Sequence, residues 1–294
     1  MRADYYHFQL GDIECACLYD GYHDYKLEQM VTNASRQDVE AALQAHGLST
    51  HVFTTPYTHL YVNTGEHRIL VDVGGGDLFP TTGKIQQSMH NAKIRPESID
   101  TIFITHAHPD HVGGVSSDRG ELIFTQAAYY ICKTEWDFWF SEQAVTLTGE
   151  WMVSFARKKL KPLEDKIVLI ESEGEIIPDV SVLLSPGHTP GHMAISFTSQ
   201  GERLFSTGDT VLHPLHLEHP MWLPVFDILP ESAAESKRRI FDLAAATGCL
   251  VVGQHFSPFP SLGHVVKKGL GWEWHPIVSR RPNDNETDRG YVWI

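Results

Sequence analysis

His106, His108, Asp110 and His111 place three imidazoles and a carboxylate in one short run, His-Ala-His-Pro-Asp-His. On an extended backbone, residues two apart face the same side, so His106 and His108 can converge on one cation. The turn after Pro109 is expected to swing Asp110 and His111 toward a neighbouring position. Gly113 and Gly114 are expected to let that turn form without a Cβ penalty. Imidazole nitrogen with carboxylate oxygen suits Zn²⁺, Fe²⁺ or Mn²⁺. Three more residues extend the set: His188 in Ser-Pro-Gly-His-Thr-Pro-Gly-His, Asp209 in Ser-Thr-Gly-Asp, and His255 after Cys-Leu-Val-Val-Gly-Gln. Alone, each reads as a cap at a strand end. Together they describe one cluster at one edge of a sheet.

The elements that must position this cluster follow from period and punctuation. Asn33 to His46 reads as a capped amphipathic helix ending at Gly47. Strands are predicted at 53–62 and 68–73, joined by a turn at Asn63, and the second runs into Gly74, Gly75 and Gly76. A helix from Lys84 to Lys93 stops before Pro96. The buried strand 100–105 delivers His106. Residues 121–132 read as two short strands, 133–161 as helical and aromatic-rich, and 167–171 and 180–184 as strands. The segment 193–210 repeats the earlier hairpin, which suggests two similar halves. Ser232 to Ala246 reads as a helix with a capping box from Ser232 to Glu235. No linker separates two domains. One domain over 1–279 is expected, followed by a polar tail over 280–294.

Lys+Arg 23 against Asp+Glu 37 gives a net charge of −14 over 294 residues, a field that repels phosphate backbones and anionic membranes. Neither nucleic acid nor a membrane is therefore an expected partner. No run approaches the length of a membrane span. The first residues lack a basic stretch followed by an apolar one, so no signal peptide is expected. Cys15, Cys17, Cys132 and Cys249 are too few for a disulfide scaffold and read as reduced thiols in a cytoplasmic protein. Gly74-Gly75-Gly76 lacks the Gly-Lys-Ser/Thr ending of a phosphate-binding loop.

His106, His108, Asp110, His111, His188, Asp209 and His255 match the H-x-H-x-D-H…H…D…H pattern of the metallo-β-lactamase-fold hydrolases. The chain resembles that superfamily over nearly its whole length. Its ending, His255 to His264 with Trp272 to Pro276, is similar to the branch holding methyl parathion hydrolase and related lactonases. The resemblance implies an α+β fold, a four-layer αββα sandwich with a dinuclear site at one sheet edge. It implies that His106, His108 and His188 hold one metal and that Asp110, His111 and His255 hold the other, with Asp209 bridging. Asp72 is similar to the family's aspartate that orients a ligand histidine. Two divalent ions are implied, zinc first, with Fe, Mn or Co as alternatives.

Residues exclude some relatives. The best-known zinc β-lactamases carry Cys where Asp209 stands, and di-iron flavoproteins need a carboxylate where His108 stands. The implied chemistry is a bridging hydroxide attacking a carbonyl or phosphoryl centre, with Asp110 and Asp209 catalytic: Asp110 would orient the hydroxide, and Asp209 or metal-bound water would protonate the leaving oxygen. The expected substrates are small, apolar, neutral esters or lactones. An organophosphate triesterase and an iron-dependent thiol dioxygenase are the alternatives. The well-known lactonases carry a tyrosine soon after the bridging aspartate, whereas Asp209 is followed by Thr210, Val211 and Leu212. Trp136, Trp139, Trp222 and Phe226 are candidate pocket walls, as is Trp151, with core packing the other reading for the aromatic segment, and His213, His216 and His219 are expected to line the pocket or lie on the surface. A homodimer is allowed for.

Overall fold

The computed structural model describes residues 4–117 and 119–277, and the tail expected over 280–294 lies outside them. Among the described residues, two seven-stranded sheets form. The first holds, in chain order, β1 (Tyr5–Leu10), β2 (Ile13–Lys26), β3 (Val52–Asn63), β4 (Arg68–Val71), β5 (Thr101–Ile104), β6 (Ala128–Cys132) and β7 (Ile167–Ile170). The second holds β8 (Gly174–Ile177), β9 (Val180–Leu184), β10 (Met193–Ser199), β11 (Glu202–Ser206), β12 (Leu250–Val252), β13 (Leu262–Lys268) and β14 (Gly271–Pro276).

Strand alternation builds the layers. In β4, Ile69 and Val71 join the core between the sheets while Leu70 joins the core beneath the helices; in β5, Phe103 points inward and Ile102 and Ile104 outward. The inner core takes residues from both sheets, including Leu60, Val62, Met193, Ile195, Phe197 and Val252. Helices Ile85–Asn91 and Glu150–Leu160 cover the first sheet, and Pro230–Thr247 covers the second through Ile240, Phe241 and Ala244. The result is an αββα sandwich.

The two similar hairpins occupy equivalent places. The β3–β4 pair is antiparallel and β5 then adds parallel to β4; β10–β11 is antiparallel and β12 adds parallel to β11. Parallel neighbours end on the same edge, so β4 and β5 deliver Asp72 and His106 together. In the second sheet β9, β11 and β12 all run one way, because β9 and β11 are each antiparallel to β10. Their ends lead into His188, Asp209 and His255.

Three local readings change. Residues 121–127 form no strand: Ala127 N–H donates to Phe124 O (3.3 Å) in a tight turn, and Leu122 makes one isolated bridge to Ser116, leaving β6 as the strand of this region. The last long helix begins at Pro230 rather than Ser232, since a proline at the first helical position has no N–H to lose; Ser232 and Glu235 therefore lie inside the helix and cap nothing. Gly113 and Gly114 have no left-handed backbone. They are needed for closeness instead, because a Cβ on Gly114 would lie 1.9 Å from Val73 O and one on Gly113 2.2 Å from Gly75 O.

Candidate metal centre

Two groups of buried side chains face each other at the shared edge of the sheets. In the first, His106 Nε2 lies 3.1 Å from His108 Nδ1, which lies 2.9 Å from His188 Nε2. In the second, His255 Nε2 lies 3.3 Å from Asp110 Oδ2, and His111 Nε2 lies 3.6 Å from the same oxygen. Asp209 turns one oxygen to each group. Its Oδ2 is 3.2 Å from His188 Nε2 and 3.8 Å from His106 Nε2, while Oδ1 is 3.1 Å from His255 Nε2 and 3.3 Å from His111 Nε2. Within each group the candidate ligand atoms lie within 4.8 Å of one another. All seven residues named for the cluster are brought together.

The donor set fits cations. Asp209 Oδ1 is buried and close to two imidazoles, yet it has no hydrogen-bond partner of proper geometry. Three buried imidazole nitrogens pointing at one another are likewise a poor hydrogen-bonded cluster but a good ligand set. Protonation tells the same story. Burial opposes imidazolium at His188 and His255, but Asp209 with Asp227, and Asp209 with Asp110, overcome it and raise each to about 9. At His108, burial and the neighbouring His188 push the imidazole down to about 3. Burial works against the Asp209 carboxylate too, but His255 and His111 hold it well below the usual range. The carboxylates thus demand positive charge, which protons supply in the metal-free chain and which divalent ions would supply in their place.

A supporting layer orients these rings. Asp72 Oδ2 lies 2.8 Å from His111 Nδ1 and accepts from Thr105 Oγ1 at 2.8 Å, and its Oδ1 accepts from Thr105 N–H. His255 Nδ1 faces Pro56 O at 3.2 Å. With Nδ1 carrying the proton, each ring turns a bare Nε2 lone pair to the centre. His192, the second histidine of the Pro-Gly loop, accepts from Asp209 N–H at 2.9 Å and pairs with Ser185 Oγ at 2.6 Å.

Two supports were not visible from spacing. Glu135 is fully buried, and its carboxylate accepts from Ala107 N–H, Trp139 Nε1–H, Thr189 Oγ1–H and Gly191 N–H, tying the His106–His108 turn to the His188 loop. Asp227 Oδ1 lies 3.0 Å from His188 Nδ1. Removing such a partner usually weakens metal binding by about 10- to 100-fold. Asp227→Asn is therefore expected to loosen one cation by that factor in competition with a chromophoric chelator. Wild-type affinity for both cations would show that Asp227 does not orient His188.

A cavity of about 380 Å³ opens over the cluster, with His108, Asp110, His188, Asp209 and His255 at its floor. Met30, Leu78, Phe79, Trp151, Met152, Leu212 and Phe226 form apolar wall, and His23, Tyr25, Gln29 and Thr55 supply uncharged polar groups. Among the described residues no lysine or arginine lines it. Of the expected aromatic walls, Phe226 and Trp151 are in place. Trp139 is instead buried in the core of the first sheet, with Trp136 packed against that core, because their shared helical face turns inward. Trp222 is buried beneath the loop and stacks on His219 at 4.0 Å. His213 and His216 are buried as well, beside Phe53, and His216 Nε2 faces Met30 O at 2.8 Å. None of these three histidines lines the cavity.

A paired His/Asp centre on the shared edge of an αββα sandwich defines a class of metal-binding proteins. The family model described as the Metallo-beta-lactamase superfamily matches residues 55–255, and the chain belongs to that superfamily. It is 29% identical over 212 residues to the atrochrysone carboxyl ACP thioesterase of Passalora fulva, covering 69% of this chain and 53% of that protein. It is 30% identical over 158 residues to an N-acyl homoserine lactonase of Bacillus thuringiensis, covering 53% and 56%. The chain spans about half the length of these curated relatives. Among solved structures it is similar to AidC, a dizinc quorum-quenching lactonase, with TM-score 0.88 and 27% identity over 94% of this chain and 98% of that one. The hydrolase AbOPH gives TM-score 0.88 and 28% identity over 96% and 100%. No helix among the described residues is long and apolar enough to cross a membrane.

Proposed function

We propose that the chain is a dinuclear metal-dependent hydrolase of neutral esters or lactones. One observation carries the reading: Asp209 faces two buried ligand groups with one oxygen each, beneath a cavity with apolar wall that no lysine or arginine among the described residues lines. His106, His108 and His188 would hold one divalent ion and Asp110, His111 and His255 the other, with Asp209 shared and zinc the best fit to the donor types. Ions held there would supply Lewis acidity and a nucleophilic hydroxide near neutral pH.

The chain's own residues do the rest. Asp110, at the cavity floor, orients the attacking oxygen through its carboxylate. Asp209 is held ionised with one oxygen turned to each ligand group, so it positions the site, and the leaving oxygen takes its proton from water. The apolar wall seats the acyl part and keeps bulk water from the scissile bond.

Two measurements test this together. Elemental analysis of metal-replete protein is expected to give about two transition-metal ions per chain. A panel of lactones, p-nitrophenyl esters, an acyl thioester and a paraoxon-type triester is expected to show turnover of the carboxylic esters or lactones. One iron per chain with oxygen uptake would replace the reading with a thiol dioxygenase, and turnover of the triester alone would replace it with a phosphotriesterase.

A further inference from the structure

Tyr25 stands on the cavity wall, and its hydroxyl lies 2.6 Å from that of Tyr57. Tyr57 comes from β3, is fully enclosed, and sets its ring edge-on to His255 at 4.8 Å between centroids. A buried hydroxyl must spend its proton on a neighbour. For Tyr57 that neighbour is Tyr25, so Tyr57 donates, Tyr25 accepts, and the Tyr25 proton is left to point into the cavity. The Tyr25 ring is braced edge-on by His23 at 4.7 Å and by Phe226 at 5.3 Å. A braced, pre-aimed donor above a centre where charge develops is a device for stabilising that charge.

We propose that Tyr25 is a catalytic residue, whose hydroxyl donates a hydrogen bond to the substrate oxygen that gains negative charge, and that Tyr57 is its positioning residue. This rests on the hydrolase reading above. Burial, then the carboxylate of Asp110, holds both phenols well above their ordinary range, so each keeps its proton and acts as a donor. No proton is transferred: the hydrogen bond shortens as charge builds and relaxes when the leaving group departs. The Tyr25 hydroxyl bonds to no member of the metal cluster, so its loss leaves the ligand set whole.

The test uses metal-replete wild type, Tyr25→Phe, Tyr57→Phe and the double variant on an ester or lactone that the wild type cleaves. Tyr25→Phe is expected to lower kcat by about 10- to 100-fold, within the range for one lost charge-stabilising donor, with KM within about twofold and metal content unchanged. Tyr57→Phe is expected to lose less, and the double variant to match Tyr25→Phe, since the pair acts as one unit. Inhibition by an alkylboronic acid, which mimics the tetrahedral intermediate, is expected to weaken by about 10-fold in Tyr25→Phe. Unchanged kcat, a loss that tracks metal content, or undiminished boronate inhibition would each overturn the assignment. A wild type inactive on the whole panel overturns the hydrolase reading and this inference with it; an active wild type with an unaffected Tyr25→Phe overturns this inference alone.

Discussion

Asp209→Ala is expected to cost the protein at least one of its two cations and to lower hydrolysis by about 10³-fold or more, the scale on which losing a preorganised electrostatic group slows catalysis. The reason is geometric. Asp209 alone offers one oxygen to each ligand group, at 3.2 Å from His188 Nε2 and 3.1 Å from His255 Nε2. Without it, three neutral imidazoles remain on one side, and on the other a single carboxylate must offset the cation. The fold is expected to survive, because Asp209 sits beyond the end of β11 and outside the apolar clusters. Metal analysis, rates and circular dichroism on one preparation separate these effects. A variant that keeps two cations and near-normal rates would show that Asp209 does not join the groups. Asp209→Asn adds a control, since it keeps the shape and removes the charge.

The cluster was legible because strand ends and histidine spacing are local signals. His106, His108, Asp110 and His111 follow β5 directly, and their types leave few other uses. Asp227 was not legible: it lies in a proline-flanked loop 39 residues after His188, and only the folded chain brings its carboxylate to that ring. Tyr25 was hidden for another reason. β2 carries a bulge between Tyr19 and Gly21 that breaks its two-residue period, so the first thirty residues showed no clean alternation. That bulge is not idle, since Asp20 accepts from Gly75 N–H and Ile85 N–H there and pins the glycine loop against the strand.

The aromatic helix shows the limit of period as a guide. Trp136 and Trp139 share a helical face, but period does not say whether such a face meets a cavity or a core. Here Glu135 decides it. Its carboxylate takes the Trp139 indole N–H at 2.6 Å while holding both histidine loops, so Trp139 turns inward and packs edge-on beneath His108 at 5.7 Å. Trp139 thus supports the centre from below, and Trp151, on the next helix but one, takes the place on the wall.

That wall leads to the second large effect, on substrate choice. Phe79, Met152, Leu212 and Phe226 line the cavity, and Trp151 stands largely exposed on the same wall. Burying each added methylene there is worth about 0.8 kcal/mol. Part of that is lost where the chain stays wet, so kcat/KM is expected to rise about two- to fourfold per methylene along a series of straight-chain p-nitrophenyl esters. Over several methylenes the gain compounds to about a hundredfold or more, and it levels off once the acyl chain passes Trp151. Anions face the opposite trend. The net charge of −14 repels them on approach, and no lysine or arginine among the described residues meets them in the cavity. Bis-p-nitrophenyl phosphate is therefore expected to be cleaved far more slowly than the neutral esters. A flat chain-length series, or faster cleavage of the phosphodiester, would mean that the apolar wall does not seat the acyl group and that the centre serves anionic substrates instead.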